Sequence, residues 1–239
     1  MEQFLFKDGN LTGEAGKRTL VIDGEESFHL FKVLRTRAGE NILATNGAGK
    51  TLLCVVATAG RERTVCEVVE EYEDLNASPR EFCIAMALLK PMSKVETALE
   101  KCTELGARHF LLFNSERSES GRPRFERLQN IIKSAVKQSL RSRIPELVFA
   151  EDLEEAARHG RLYHERVVLH EKAEESLTGR IQRIEKERSA IAMIGPEGGF
   201  SETEITFLTE NGYESLSLGE GRLRSETAAV AAATLLSTY

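Results

Sequence analysis

Two stretches toward the C-terminal end gather the residue types that chemistry needs. The first is Ile194-Gly195-Pro196-Glu197-Gly198-Gly199-Phe200-Ser201, which follows an apolar strand pattern and precedes a helical one. Ser201 and Glu204 have the spacing of a capping box, which starts a helix, and Gly212 ends it. Glycines let bare backbone approach a flat ligand, and N–H groups at a helix start can meet adenine, ribose hydroxyls or a carboxylate. An ordinary turn needs neither two adjacent glycines nor the Pro-Glu before them. The second stretch is Leu218-Gly219-Glu220-Gly221-Arg222-Leu223-Arg224-Ser225-Glu226-Thr227-Ala228. Again a strand pattern ends, a glycine-bearing loop follows and a helix begins. Ser225 or Thr227 can cap that helix, and Glu226 suits its positive end. Capping does not explain Leu223-Arg224.

A third glycine-rich stretch, Ala44-Thr45-Asn46-Gly47-Ala48-Gly49-Lys50-Thr51, comes close to a phosphate-binding P-loop. That motif needs Gly where Ala44 stands, and a helix after Lys-Thr. Here Leu52-Leu53-Cys54-Val55-Val56 follows, which is a strand pattern, so Asn46-Gly47 is read as a hairpin turn. A triphosphatase would instead bind ATP at Lys50.

Loops of this kind need a scaffold. Strand patterns at 82–89, 109–113, 167–170, 190–194 and 215–218 alternate with helical ones near 91–105, 125–140, 152–158, 175–187, 201–211 and 225–237. Pro91 is expected to open the first of these helices, and Gly106 to close it. Alternation predicts a mostly parallel sheet covered on both faces, with ligands beyond the C-terminal ends of its strands. Upstream the pattern differs. Short strands are predicted at 4–6, 19–22, 40–45, 51–57 and 64–70, with one helix over 25–36, which is the make-up of a small β-barrel. Residues 73–80, polar and ending at Pro79-Arg80, read as a linker. Two domains follow, 1–72 and 80–239.

Net charge is -6, yet Arg117, Arg122, Arg124, Arg127, Lys133, Lys137, Arg141 and Arg143 face only Glu119 and Glu126, eight minus two. Such a patch can bind phosphates whatever the total charge, or simply be a solvated helix face. Cys54, Cys66, Cys83 and Cys102 form no C-x-x-C pair and lie near no histidine at metal spacing. They read as small buried hydrophobes of a reducing compartment, hence a cytoplasmic protein with no metal. A secretory leader is not expected, and no apolar run is long enough to span a bilayer.

These residues place the chain near a known family. It resembles the bacterial 16S ribosomal RNA uridine-N3 methyltransferases (RsmE family) of the SPOUT superfamily, over almost its whole length. The likeness rests on His29-Leu30-Phe31-Lys32-Val33-Leu34-Arg35, Gly39-Glu40, Glu100-Lys101-Cys102-Thr103-Glu104-Leu105-Gly106, Ser115-Glu116-Arg117-Ser118, Gln138-Ser139-Leu140-Arg141, Ile144-Pro145 and the two C-terminal loops. In one place it departs: Gly221 stands where the family usually has Arg, and Arg222 where it has an aliphatic residue.

The resemblance implies an α/β protein with an N-terminal PUA-like β-barrel and a C-terminal SPOUT methyltransferase domain with a deep trefoil knot. It implies a homodimer that uses S-adenosyl-L-methionine on RNA of the small ribosomal subunit. The cofactor would be held by Leu169, Ile194, Gly195, Pro196, Glu197, Gly198, Gly199, Leu218, Gly219, Leu223 and Ser225. Methyl transfer to uridine N3 needs in-line placement and loss of the N3 proton. Arg224 is expected to stabilise the developing anion or to bind the target phosphate. Glu197 or Glu226 would take the proton, directly or through water. RNA contacts are expected from His29, Lys32, Arg35, Arg117, Arg124 and Arg141, although Arg141 could equally brace the catalytic domain. The alternatives are a SPOUT enzyme with another RNA target and an RNA-binding protein that has lost activity.

Overall fold

The computed structural model describes residues 1–14, 17–118 and 121–238, so Glu119 of the basic stretch lies outside the described residues. The chain divides into two compact units, Met1–Ala77 with Val136–Ile144, and Ser78–Ala135 with Pro145–Tyr239.

The first unit holds one sheet of six strands: β1 (Gln3–Leu5), β2 (Leu11–Glu14), β3 (Lys17–Asp23), β4 (Asn41–Thr45), β5 (Lys50–Thr58) and β6 (Arg63–Glu73). Their order is β1-β4-β5-β6-β3-β2. Among the described residues β1 and β4 pair in parallel and the other neighbours are antiparallel. Leu52, Cys54 and Val56 of β5 point inward at a period of two, the pattern of a strand with one face on a core. They meet Phe4, Phe6, Leu20, Ile22, Leu30, Ile42 and Cys66. The return of 136–144 to this unit has a polar cause. Gln3 Nε2 donates to the Arg141 carbonyl at 2.8 Å, Thr45 Oγ1 to that of Ser142 at 2.9 Å, and Asn76 Nδ2 to that of Leu140 at 3.0 Å.

The helix expected over 25–36 is not one α-helix. An α-helical turn, α1 (Gly24–Phe28), runs into a π-helical stretch at His29–Leu34, whose C-cap is Arg35 in the left-handed region, φ 55°. The Arg35 N–H donates to the Leu30 carbonyl, a wider turn than an α-helix makes. Leu30 is thereby driven into the core while Phe28 and Phe31 stay outside.

The second unit is built on six strands, all parallel: β7 (Phe82–Ala87), β8 (His109–Phe113), β9 (Glu146–Ala150), β10 (Glu165–Leu169), β11 (Ala190–Ile194) and β12 (Glu214–Leu216). The order is β12-β10-β11-β7-β8-β9. Every residue of β7 and β11 is buried, as expected of central strands covered on both faces. The helices are α2 (Ser93–Leu105), α3 (Phe125–Gln138), α4 (Leu153–Gly160), α5 (Leu177–Ile181), α6 (Glu202–Glu210) and α7 (Ser225–Thr238).

Three differences from the sequence reading have local causes. Edge strand β9 is half-buried, and its residues do not alternate clearly enough to be read. The helix expected over 175–187 shrinks to α5, since it carries Gly179 in its first turns and Arg180 is drawn out to Glu165 and Glu214. Pro91 stands before α2 rather than opening it: its carbonyl accepts from the Lys94 N–H, and the helix begins at Ser93.

Candidate functional site

β12, β10 and β11 are neighbours, so the loops at their C-terminal ends lie side by side. With Arg117, from the loop after β8, they line a cavity of about 410 Å³. Its walls are Leu169–Lys172, Ile194–Phe200, Glu202, Leu218, Gly219, Gly221–Ser225 and Ala228. That volume lies within the range of roughly 300–1,000 Å³ of small-molecule sites.

The loop after β11 is shaped by contacts at its two ends. Gly199 N–H closes a turn on the Pro196 carbonyl at 2.9 Å, and Gly199 has φ +68°. A Cβ on Gly195 would stand 3.0 Å from the Phe200 nitrogen, so the chain needs glycine there. Phe200 is buried and stacks on Phe113 with ring centres 6.3 Å apart. The capping box forms: Ser201 Oγ accepts from the Glu204 N–H at 3.2 Å, and Glu204 Oε2 from the Ser201 N–H at 2.8 Å. Glu204, 8% exposed, does more than cap. Its Oε1 accepts from Ser115 Oγ at 2.8 Å and from the Glu116 N–H at 2.9 Å. Arg117, next in the chain, then reaches the Gly198 carbonyl with Nη1 at 3.0 Å.

Glu197 is held from the start of α2. Its Oε1 accepts from Lys94 Nζ at 2.9 Å and from the Lys90 N–H at 3.1 Å. Burial pushes its carboxyl up. The Lys94 hydrogen bond, the N–H groups of Glu197 and Lys90 and the Lys94 charge outweigh that and hold it below the ordinary carboxylate range. Glu197 is therefore an ionised, weakly basic group.

In the loop after β12, Gly219 has φ +119°, a region closed to other residues in practice. A Cβ added at Gly199, Gly219 or Gly221 would meet nothing within 4 Å. Bare backbone here faces open cavity, a cradle for a flat group. Arg222 at the departure from the family pattern is exposed, with Nε 3.4 Å from Glu171 Oε2. Arg224 is exposed in the lining. Glu226 sits outside it, on the first turn of α7, with Oε2 buried and without a hydrogen-bond partner.

All eleven residues expected to hold a cofactor line this cavity, together with Arg224 and Arg117. His170, Glu171, Lys172, Phe200, Glu202 and Ala228 line it as well. Most of these adjoin residues already singled out and were legible as neighbours. Lys94 was not, for only the fold brings it across 103 residues to Glu197.

The basic stretch is largely spoken for. Arg122 pairs with Glu151, Arg127 with Glu96, Lys137 with Glu26 and Arg143 with Asp74. Arg141 is half-buried, with Nη1 on the Asn76 carbonyl, so its guanidinium braces the first unit. Arg124 is exposed, as are His29, Lys32 and Arg35. The P-loop look-alike is the β4–β5 hairpin: Asn46 N–H donates to the Lys50 carbonyl, and Lys50, on a strand, pairs with Glu71 at 2.9 Å. Nothing there resembles a triphosphate site.

Among the described residues no helix is long and apolar enough to cross a membrane, and no group of three metal-ligating side chains occurs. All four cysteines are buried and free.

Comparison with known proteins agrees with this geometry. Residues 76–237 match the model of the RNA methyltransferase domain, and residues 22–69 that of the RNA methyltransferase PUA domain. The chain is 32% identical over 227 residues to ribosomal RNA small subunit methyltransferase E of Mycobacterium tuberculosis, covering 89% of this chain and 83% of that one. Identity to the protein of the same name from Bacillus subtilis is 28% over 230 residues, 92% of this chain and 90% of that one. The crystal structure of a ribosomal RNA small subunit methyltransferase E from Neisseria gonorrhoeae bound to S-adenosyl methionine superposes with a TM-score of 0.83. Its identity is 26%, and the match covers 98% of this chain and 95% of that one. A Legionella pneumophila methyltransferase in complex with SAM gives a TM-score of 0.82 at 26% identity, over 99% of this chain and 96% of that one. With a PUA-like unit followed by a parallel α/β unit whose glycine loops enclose one cavity, the chain belongs to the ribosomal RNA small subunit methyltransferase E family of RNA methyltransferases.

Proposed function

We propose that this protein methylates N3 of one uridine in 16S RNA of the small ribosomal subunit, using S-adenosyl-L-methionine. The observation that carries this reading is the cavity at the ends of β10, β11 and β12, where Gly199, Gly219 and Gly221 leave open space against bare backbone. Apolar Leu169, Ile194, Pro196, Leu218 and Leu223 suit an adenine and the methylene chain of a methionine moiety, and exposed N–H groups suit hydroxyls and a carboxylate. Leu169, Ile194, Gly195–Gly199, Leu218, Gly219, Leu223 and Ser225 would hold the cofactor. When bound, S-adenosylmethionine supplies a methyl group on a sulfonium, ready to pass to a nucleophilic nitrogen.

The chain's own residues do the rest. Uridine N3 must lose a proton, and the charge that develops spreads onto the uracil carbonyls. Arg224 stabilises that charge from the cavity wall. Glu197 makes a poor acceptor for the proton, because Lys94 and the Lys90 N–H hold it ionised and weakly basic. Glu226, outside the lining but with an Oε2 that has no hydrogen bond to lose, takes it through water. His29, Lys32, Arg35, Arg117 and Arg124 contact the RNA. Arg141 is left out of that set, being occupied in the first unit. A PUA-like barrel over 1–72, a trefoil-knotted domain over 80–239, a homodimer and a cytoplasmic setting complete the reading.

Mass spectrometry of small-subunit RNA from cells with and without the gene tests it. Loss of one N3-methyluridine, restored by purified protein and S-adenosylmethionine, is expected; an unchanged profile removes the target. Arg224→Ala should cut turnover by about 10²–10³-fold while calorimetric cofactor binding persists. Normal turnover in that variant would end the role of Arg224.

A further inference from the structure

Of the eight exposed large apolar side chains among the described residues, four fall in one place. Among the described residues, Phe28, Phe31, Val33 and Leu34 are exposed by 42%, 40%, 60% and 37%, and they fall within a single short segment. That segment is α1 and the π-helical turns after it, where Leu30 alone of His29–Leu34 is buried. Burial of Leu30 accounts for the wide turn, but it does not require four large apolar side chains beside it to be left outside. An arginine with φ 55° is strained, and π-helical turns are rare outside functional sites. Backbone strain that holds apolar rings in water points to an occupant that is not part of the fold.

Charge identifies the occupant. From Phe28 to Arg37 the chain carries His29, Lys32, Arg35 and Arg37, all exposed, and no acidic residue. Two acidic residues precede this run on α1: Glu25 is exposed, and Glu26 is held by Lys137 at 2.7 Å. The Arg61 guanidinium stands 5.8 Å from the centre of the Phe28 ring and adds a further cation to that edge. A second copy of the chain is a poor fit, because a two-fold contact would set these cations against themselves. Rings interleaved with cations match single-stranded nucleic acid, whose bases have free faces and whose phosphates lie one nucleotide apart. A duplex keeps those faces stacked and offers Phe28 and Phe31 nothing.

The geometry points to unpaired nucleotides of the RNA substrate as the ligand of this surface: bases stack on Phe28 and Phe31 while Lys32 and Arg35 meet the adjoining phosphates. This rests on the reading of the protein as an RNA enzyme and specifies which RNA it grips. The substrate class becomes a loop or junction rather than a continuous helix.

The test uses the full chain, a labelled unstructured oligoribonucleotide, and a blunt RNA duplex of equal length. Fluorescence anisotropy at several salt concentrations should show tighter binding of the single strand. Phe28→Ser and Phe31→Ser should each weaken it roughly tenfold without changing the salt slope. Lys32→Gln should lower that slope by about one. Both rings are on the surface, so melting temperatures should hold. If one falls, Phe31→Leu keeps the apolar bulk, removes the ring face and should show the same loss. Unchanged affinity in the phenylalanine variants overturns the inference, as does duplex binding at least as tight as single-strand binding. So does a shift in oligomeric state in sedimentation with RNA affinity intact. Methylation of small-subunit RNA, followed in parallel, separates the two readings. Wild-type activity alongside normal RNA binding by the serine variants would sink the stacking surface and leave the enzyme standing. Phenylalanine-dependent binding with no methylation of any RNA would do the reverse.

Discussion

The hairpin Asn46-Gly47-Ala48-Gly49-Lys50 and the loop Gly195-Pro196-Glu197-Gly198-Gly199 each follow an apolar strand, and each has a lysine–carboxylate pair. Lys50 meets Glu71 and Lys94 meets Glu197, both at 2.9 Å. In the hairpin the polar backbone is consumed locally. The N–H groups of Ala48 and Lys50 donate to Asn46 Oδ1, that of Gly47 to Thr45 Oγ1, and that of Gly49 to the Ser142 carbonyl. Its glycines face filled space: a Cβ at Gly47 would stand 2.5 Å from Ile144 Cδ1, and one at Gly49 2.6 Å from Arg143 Nη2. Around the cavity, Gly199, Gly219 and Gly221 face nothing within 4 Å. A glycine against packed atoms serves the fold. A glycine against open space, at the end of a parallel strand, serves a ligand.

The largest effect should come from putting a side chain into each kind of space. Gly219→Val strains the backbone at φ +119° and fills the cradle. Calorimetric affinity for S-adenosylmethionine should fall about 100-fold or more. Gly49→Val should instead lower the melting temperature by several degrees, about 2–4 °C per kcal/mol, and leave that affinity unchanged. Equal loss of cofactor binding in both would erase the distinction.

Next comes the anchor that the hairpin lacks. Glu204→Ala strands Ser115 Oγ and the N–H groups of Glu116 and Ser201. Urea unfolding should register a loss of about 2–3 kcal/mol. A change below about 0.5 kcal/mol would mean that Glu204 is not what ties these loops together.

The two ion pairs sharpen the contrast further. Lys94→Met should weaken cofactor binding about twofold to fivefold, whereas Lys50→Met should not affect it. In the wild type the Glu197 carboxyl sits below its ordinary value, so the pair persists until pH falls through that lowered pKa. In Lys94→Met the carboxylate should protonate at higher pH, and cofactor affinity should begin to drop sooner on acidification. Titration curves that coincide would detach Glu197 from Lys94.

The smallest effect belongs to the hairpin pair. The hydrogen bonds from Lys50 and then Arg18, with their charges, hold the Glu71 carboxyl low against a small opposing effect of burial. That stabilisation is complete above the unfolded carboxylate pKa and disappears as pH falls through the folded one. Glu71→Gln should therefore cost less than about 1 kcal/mol at neutral pH, with the two proteins converging in acid. A gap that widens in acid would contradict the assignment.

Much of the second unit could be read from the chain. Strand β11 and its following helix announce themselves through an unbroken apolar run, a glycine loop and a capping box, all local signals. Arg117 and the cavity loops came from residue type and family likeness together. The π-helical stretch could not be read, because Phe28, Phe31 and Arg35 have helical spacing and only the pull of Leu30 into the core widens the turn. The run of cations from Arg117 to Arg143 misleads for a related reason: its counter-charges Glu26, Asp74, Glu96 and Glu151 lie far away in the chain.

By itself, then, the sequence determined where strands end, where glycine loops begin and which family the chain resembles, since those properties reside in contiguous residues. It also distinguished the hairpin from a P-loop, by the apolar strand pattern after Lys50. Only the tertiary structure decided that β12, β10 and β11 stand side by side, so that three loops share one cavity. It alone assigned Glu197 to Lys94, Glu204 to Ser115 and Arg141 to Asn76. Hydrogen bonds and ion pairs act over a few ångströms, and which groups come that close is set by strand order and helix packing rather than by distance along the chain.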